Sequence, residues 1–381
     1  MQISGNLPGR GYGTVVFLDG TIEHVAVTGP EREGEPFLAP GLIDVQLNGF
    51  AGVDFSDAHL EPEQLTAVLP ALWRTGLATF LPTLITNSVE ALARNFRVLE
   101  QARRMDARFA KAAPCYHLEG PYLSPGPAHG VHDPQWMHPP DWDEFCRLQQ
   151  AAGGNIGIVT VAPELPGCYD FIRKAAAAGV IVSVGHTDGG ADDIHHAVRA
   201  GAKMSTHLGN GCATMIERHA NPVWAQMAAE ELTASIICDT FHLPPDLVRV
   251  IARMKGIGRT VLITDATHVA GLPPGRYSLV GAEIELLSSG KVVKVNGACL
   301  GGSAATMNRV VVVFADYARL TLVDALACAT TTPARLLGRP SLCASVTPGQ
   351  AANLIRFRPG KDALEIEAAW QAGQALPGLS S

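Results

Sequence analysis

Four residues of this chain occupy positions where an acid or an imidazole is costly to place without a partner. Glu119 ends the apolar run CYHLEG, His186 closes GVIVSVGH, His207 lies in KMSTHL, and Asp265 closes TVLITD. A carboxylate at the end of a buried run, followed at once by Gly120 and Pro121, needs positive charge to meet it. Taken singly, each residue has an ordinary reading. A lone glutamate caps a helix or pairs with an arginine, a lone histidine on an apolar strand is a satisfied core residue, and Asp265 caps a helix in LITDAT. Taken together they read differently, because two imidazoles and one carboxylate with an open fourth position are the ligand set of a catalytic divalent ion, Zn²⁺ or Fe²⁺ among the candidates. Such an ion makes a nucleophile from water near neutral pH, and Asp265 is then in reach to carry a proton.

Those residues converge only if the segments carrying them do. Eight short apolar runs follow one another: LIDVQLNG (42–49), ATFLPTLI (78–85), CYHLEG (115–120), NIGIVTVAP (155–163), GVIVSVGH (179–186), KMSTHL (203–208), TASIICD (233–239) and TVLITD (260–265). Between them lie amphipathic stretches such as 88–105, 170–179, 191–201 and 243–256, whose apolar residues recur at three and four and which often end in Gly. Runs apolar on both faces alternating with such helices predict an α/β fold, a parallel (β/α)₈ TIM-like barrel. A doubly wound open sheet needs fewer units, and GLIDVQLNGFAGVDF lacks the glycine order of a dinucleotide fingerprint. On a barrel the polar residues at the strand ends share one face. Gln46 and Asn48 come from strand one, Glu119 from three, His186 from five, His207 from six, Asp239 with His242 just beyond it from seven, and Asp265 from eight.

Outside the barrel, TVVFLDG and IEHVAV read as two strands near the start, and 276–302 reads as a β-hairpin excursion. Two closing helices follow, and VTPGQAANLIRF returns to strand character. Residues 1–38 and 346–381 are expected to pair into a small β-sandwich-like domain, with the barrel over 39–345. With 47% hydrophobic and 17% charged residues in 381, the chain can bury a full core. A net charge of -7 points away from nucleic acid and anionic membrane and toward a small-molecule substrate. The first residues lack the pattern of a signal peptide and no long apolar span occurs, so the expected location is cytoplasmic. The eight cysteines are scattered with no CxxC pair and read as reduced thiols, Cys212 alone falling in a loop expected to line a pocket.

APGLIDVQLNG, HLEGPYL, HGVHDP, VGHTD, THLGN, LITDAT, LGGSAATM and TTPARLLG stand in the order seen in the N-acetylglucosamine-6-phosphate deacetylases of the amidohydrolase superfamily. From about residue 38 to 355 the chain resembles that family. The resemblance implies hydrolysis of the N-acetyl amide of an amino-sugar 6-phosphate. Gln46-Leu47-Asn48 replaces the His-x-His of binuclear members, which implies one divalent metal per subunit, Zn²⁺ ahead of Fe²⁺, on Glu119, His186 and His207. Asp265 is then the proton carrier and His132 the group that polarises the amide oxygen. Gln46, Asn48, Gly120, Asn210, Gly211, Arg218 and His242 are the implied substrate contacts, with the backbone N–H groups of Asn210 and Gly211 as neutral donors. Arg218 and His242 are phosphate ligands that such relatives draw from the neighbouring subunit, which implies a homodimer.

The chain departs from the pattern in the loops that meet substrate: Asn210-Gly211-Cys212 and Arg218-His219-Ala220-Asn221-Pro222 are changed, and His129-Gly130 stands for a Lys-Gly pair. An amidohydrolase of another N-acyl amine, or of an unphosphorylated amino sugar, is therefore the alternative. A silent barrel used as a scaffold is a third reading, at odds with a complete ligand set.

Overall fold

Four strands open the chain: β1 (Gln2–Leu7), β2 (Gly11–Leu18), β3 (Thr21–Gly29) and β4 (Phe37–Pro40). The sequence showed only the middle two. QISGNL has no apolar alternation, yet it pairs antiparallel with β2 from Gln2↔Val16 to Leu7↔Gly11. The structure, a computed structural model, describes residues 1–295, 299–342, 345–377 and 379.

All eight expected barrel strands form. They are β5 (Leu42–Leu47) and, after the two-residue strands β6 (Gly49–Phe50) and β7 (Val53–Asp54), the series β8 (Leu77–Ile85), β9 (Tyr116–Glu119), β10 (Ile156–Val161), β11 (Ile181–Val184), β12 (Met204–Ser205), β13 (Thr233–Ile237) and β14 (Thr260–Ile263). Each lies parallel to the next in chain order. Closure runs through the strand ends. Leu47 bridges Ala266 in parallel, Asn48 N donates to Ala266 O at 2.8 Å, and Asp265 N donates to Gln46 O at 3.0 Å. Side chains from the strand interiors fill the barrel, among them Ile43, Val45, Leu81, Ile158, Met204, Ile237 and Val261.

The helices lie outside. In Val89–Met105, Ser88 Oγ accepts from Ala91 N at 3.2 Å as the N-cap, Glu90 sits in the first turn and Arg103 and Arg104 in the last, each favoured by the helix dipole. Its buried face, Leu92, Phe96, Leu99 and Ala102, has the spacing read from the sequence. The helix Ala191–Ala200 stops at Gly201, whose φ of 119° suits glycine.

The excursion is larger than a hairpin: β15 (Gly275–Leu279), β16 (Ala282–Leu286) and β17 (Val292–Lys294) form a three-stranded antiparallel sheet. Leu279, Ile284, Leu286 and Val292 pack on Ile85 and Val269 at the barrel mouth. The second closing stretch divides into Leu322–Cys328 and Thr331–Leu336, with Pro333 tolerated in the first turn of the latter. The chain returns in β18 (Leu354–Pro359), β19 (Leu364–Gln371) and β20 (Gln374–Ala375), and one sheet joins both ends in the order β20-β19-β18-β4-β1-β2-β3. That sheet curls until Phe17 meets Trp370 edge to face, 6.4 Å between centroids. Among the described residues no helix is long and apolar enough to cross a membrane.

Asp44, fully buried at the closing seam, accepts from Thr264 Oγ1 at 2.5 Å and from Gln46 N at 3.1 Å. Burial pushes its carboxyl up to about 7 against those donors. Its folded value lies above the unfolded 3.8, so its contribution to stability is full below that pH and is lost as pH rises through about 7. Asp44→Asn, which cannot titrate, should therefore gain on the wild type between pH 4 and pH 7. Denaturant unfolding across that window reads the gap, and a constant gap would place the titration elsewhere.

Candidate metal centre and active site

Glu119, His186 and His207 end neighbouring parts of the barrel, and their ligand atoms all lie within 4.8 Å of one another. His207 Nε2 stands 3.0 Å from His186 Nε2 and 3.1 Å from Glu119 Oε1, and His186 Nε2 stands 3.4 Å from that same oxygen. A tetrahedral ion with bonds of about 2.0–2.1 Å sets its ligands roughly 3.3–3.4 Å apart. Two imidazole nitrogens 3.0 Å apart that both face one carboxylate oxygen need a proton or a cation among them. The donor set therefore fits a divalent ion.

Burial works against a charged Glu119, but hydrogen bonds and charge from the two imidazoles outweigh it and hold the carboxyl well below the usual range. Around the triangle, the second ring nitrogen of His186, Nδ1, bonds Ala128 O at 2.9 Å, which fixes the ring. Gln46 lies between two acids, its Nε2 donating to Glu119 Oε1 at 2.9 Å and to Asp265 Oδ1 at 3.1 Å, while Asn48 Nδ2 donates to Asp265 Oδ1 at 2.7 Å. Burial first, then the charge of Glu119, raises the Asp265 carboxyl. His186, His207 and Asp265 have φ of 48°, 30° and 50°, left-handed conformations that cost non-glycine residues energy and that recur at working sites.

The triangle opens into a cavity of about 210 Å³ that is lined by Asn48, Glu119, His132, His186, His207, Asn210, Gly211, His242 and Asp265 among others. His132 faces it with Nδ1 bonded to Thr86 Oγ1 at 2.8 Å, and burial, followed by the His186 charge, lowers its pKa to about 3, so the ring is neutral. Asp239 pins His242, with Nδ1 donating to Oδ2 at 2.7 Å. Cys212 lines the cavity as expected, and all the described cysteines are free.

The expected site residues are disposed as follows. Gln46 is absent from the cavity lining; its Nε2 bridges the two carboxylates, while its Oε1 is buried without a partner among the described residues. Gly120 is absent from the lining too, and its glycine serves packing: with φ of 94°, a Cβ there would lie 2.0 Å from Thr86 Oγ1. His242, held by Asp239, lines the cavity of its own chain. Asn210 N is already bonded to His207 O at 2.9 Å, so the donor it offers is Nδ2, a buried atom without a partner among the described residues. Gly211, with φ of 58°, passes so close to His207 that a Cβ would lie 2.7 Å from its Cε1. Arg218 is exposed and away from the cavity. Sequence reading missed Thr86, Thr267 and the carbonyl of Ala128. A threonine just beyond an apolar strand carries no distinguishing signal, and a carbonyl carries none at all.

Residues 37–375 match the model of the amidohydrolase family. The chain is 30% identical to the N-acetylglucosamine-6-phosphate deacetylase of Bacillus subtilis (strain 168) over 360 residues, 90% of this chain and 88% of the relative. It is 29% identical to the N-acetylgalactosamine-6-phosphate deacetylase of Escherichia coli O157:H7 over 353 residues, 93% and 91% of the two chains. A mutant N-acetyl-D-glucosamine-6-phosphate deacetylase from Mycobacterium smegmatis, solved in complex with N-acetyl-D-glucosamine-6-phosphate, superposes with a TM-score of 0.88 at 28% identity, covering 100% of this chain and 99% of that one.

His186→Asn and His207→Asn should each lower the metal content of the purified protein by at least about tenfold, measured by elemental analysis. Full occupancy in both variants would remove the triangle from consideration as the metal centre.

Proposed function

The chain belongs to the amidohydrolase family, and from that premise we propose that it hydrolyses the N-acetyl amide of N-acetylglucosamine 6-phosphate to acetate and glucosamine 6-phosphate. The observation that carries this reading is the buried Glu119–His186–His207 triangle with Asp265 beside it on one cavity. Glu119, His186 and His207 would hold a divalent ion, Zn²⁺ ahead of Fe²⁺ for a two-imidazole, one-carboxylate set, which would supply Lewis acidity toward the amide oxygen and acidify a water.

The chain's own residues do the rest. Asp265 Oδ1 is held by Gln46 and Asn48, which leaves Oδ2 to take the proton of the attacking water. The same carboxyl then gives that proton to the amine as the C–N bond breaks, and its raised pKa suits a group that must both accept and donate. In the tautomer of the neutral His132 ring that carries its hydrogen on Nε2, Nδ1 accepts from the Thr86 hydroxyl at 2.8 Å and Nε2 can donate to the amide oxygen as charge builds there. Asn48 Oδ1, Asn210 Nδ2 and Thr267 Oγ1, all on the cavity and without partners among the described residues, are suited to the sugar hydroxyls.

The phosphate is where the single chain is short of charge. Among the described residues no Lys or Arg lines the cavity. His242 supplies one donor, and Arg218 is the guanidinium that a second copy would bring, in a homodimer with shared sites. In support, Arg218 lies on an exposed loop with Met215 87% and Ile216 40% accessible, apolar surface suited to burial against another chain. The same shortage of cations favours a second reading, an unphosphorylated N-acyl amino sugar as substrate. The galactosamine-named relative makes the C4 epimer a further member of any test panel.

Acetate release from phosphorylated and unphosphorylated N-acetylglucosamine and N-acetylgalactosamine tests the substrate. The expected result is a clear preference for the glucosamine 6-phosphate, with Arg218→Ala raising KM for it by about tenfold or more and leaving the unphosphorylated sugar nearly unaffected. Equal effects on both sugars would favour the second reading. Asp265→Asn keeps shape but not proton transfer, so kcat should fall by at least about a hundredfold with metal retained. A near-normal kcat would assign the base elsewhere.

A further inference from the structure

The VGHTD stretch contributes more than His186. Two residues on, Asp188 reaches across to the loop that follows β9. Its Oδ2 accepts from Ser124 Oγ at 2.6 Å, and its Oδ1 accepts from Ala128 N at 3.1 Å. Ala128 is also the residue whose carbonyl holds Nδ1 of His186 at 2.9 Å, and Ser124 N donates to His186 O at 3.0 Å. The loop and the histidine are therefore tied twice, once directly and once through Asp188. Gly126 lies against the carboxylate so closely that a Cβ there would be 2.3 Å from Oδ2. Asp188 is itself fixed from behind, because Glu164 Oε1 accepts from its backbone N at 2.8 Å and Glu164 Oε2 accepts from Thr187 Oγ1 at 2.6 Å.

We infer that Asp188 is a positioning residue for the metal centre: by clamping Ser124 and Ala128 it holds the Ala128 carbonyl where it sets the tautomer and tilt of His186. The role is one of hydrogen bonding and not of charge. A metal-ligating imidazole keeps its lone pair on the ion through the hydrogen bond made by its other nitrogen, and disturbing that partner costs about 10–100-fold in affinity. The Ala128 carbonyl belongs to a loop whose described anchors to the β11 side include this carboxylate, so freeing the loop loosens the acceptor without touching a ligand.

This inference rests on the metal reading of Glu119, His186 and His207, and metal affinity separates the two without reference to any substrate. The full-length protein is loaded with Zn²⁺ and titrated with a chromophoric chelator for the wild type, Asp188→Ala, Asp188→Asn and Ser124→Ala. Asparagine can accept from Ala128 N and donate to Ser124 Oγ, so Asp188→Asn should stay within about threefold of the wild type. Asp188→Ala should bind Zn²⁺ about 10–100-fold more weakly, and Ser124→Ala, which keeps one of the two bonds, should fall between. Wild-type affinity in Asp188→Ala overturns the inference, and so does an equal loss in Asp188→Asn, which would mean that the negative charge is what counts. A wild type that holds no Zn²⁺ would instead overturn the metal reading itself.

Discussion

An ionised carboxylate with 2% of its surface exposed must be met by positive charge or the barrel would not close around it. Glu119 is that group, and much of the site follows from satisfying it. Two imidazoles face it from β11 and β12, and the Gln46 amide caps it from the first barrel strand. The same amide reaches Asp265 on the last strand, so one side chain spans the seam where the barrel closes. Two acids that would repel are kept close by sharing a donor, and that closeness is part of what raises one of them while the histidines lower the other.

The backbone bears the cost of aiming these groups. His186, His207 and Asp265 all take left-handed φ values that a glycine would adopt freely. Strain of about 1–3 kcal/mol per residue persists only where surrounding packing over-determines it. Here the strands beneath are filled by branched aliphatic side chains, and the turns above are fixed by hydrogen bonds such as Thr187 N to Gly211 O at 3.1 Å.

The barrel was legible because strands buried on both faces must be apolar throughout, and eight such runs separated by amphipathic stretches have few other readings. The buried cluster of Glu119, His186 and His207 was legible for a related reason, since a Glu or His ending an apolar run contradicts its surroundings. What escaped was whatever does not contradict its surroundings. Thr86 looks like any threonine at the end of an apolar run, and QISGNL looks like a loop until β2 supplies its partner. The hold of Asp239 on His242, three residues later, shows only once the turn is folded. The spent N–H of Asn210 followed from a turn whose geometry only the φ of His207 reveals.

The sheet that joins the two ends of the chain bears on how the protein is made. Strand β4 runs directly into the first barrel strand, and one of its edges pairs with β18 from Pro40↔Leu354 to Phe37↔Phe357. During synthesis β1 to β4 leave the ribosome more than 300 residues before that partner exists, at roughly 5–20 residues per second. The edge of β4 therefore stays open for tens of seconds while the barrel assembles beside it, a row of unpaired N–H and C=O groups of the kind that invites pairing with another chain. A nascent chain held by a chaperone until its last strand emerges would be protected, and one that loses residues after about 350 would keep its ligands and expose that edge for good.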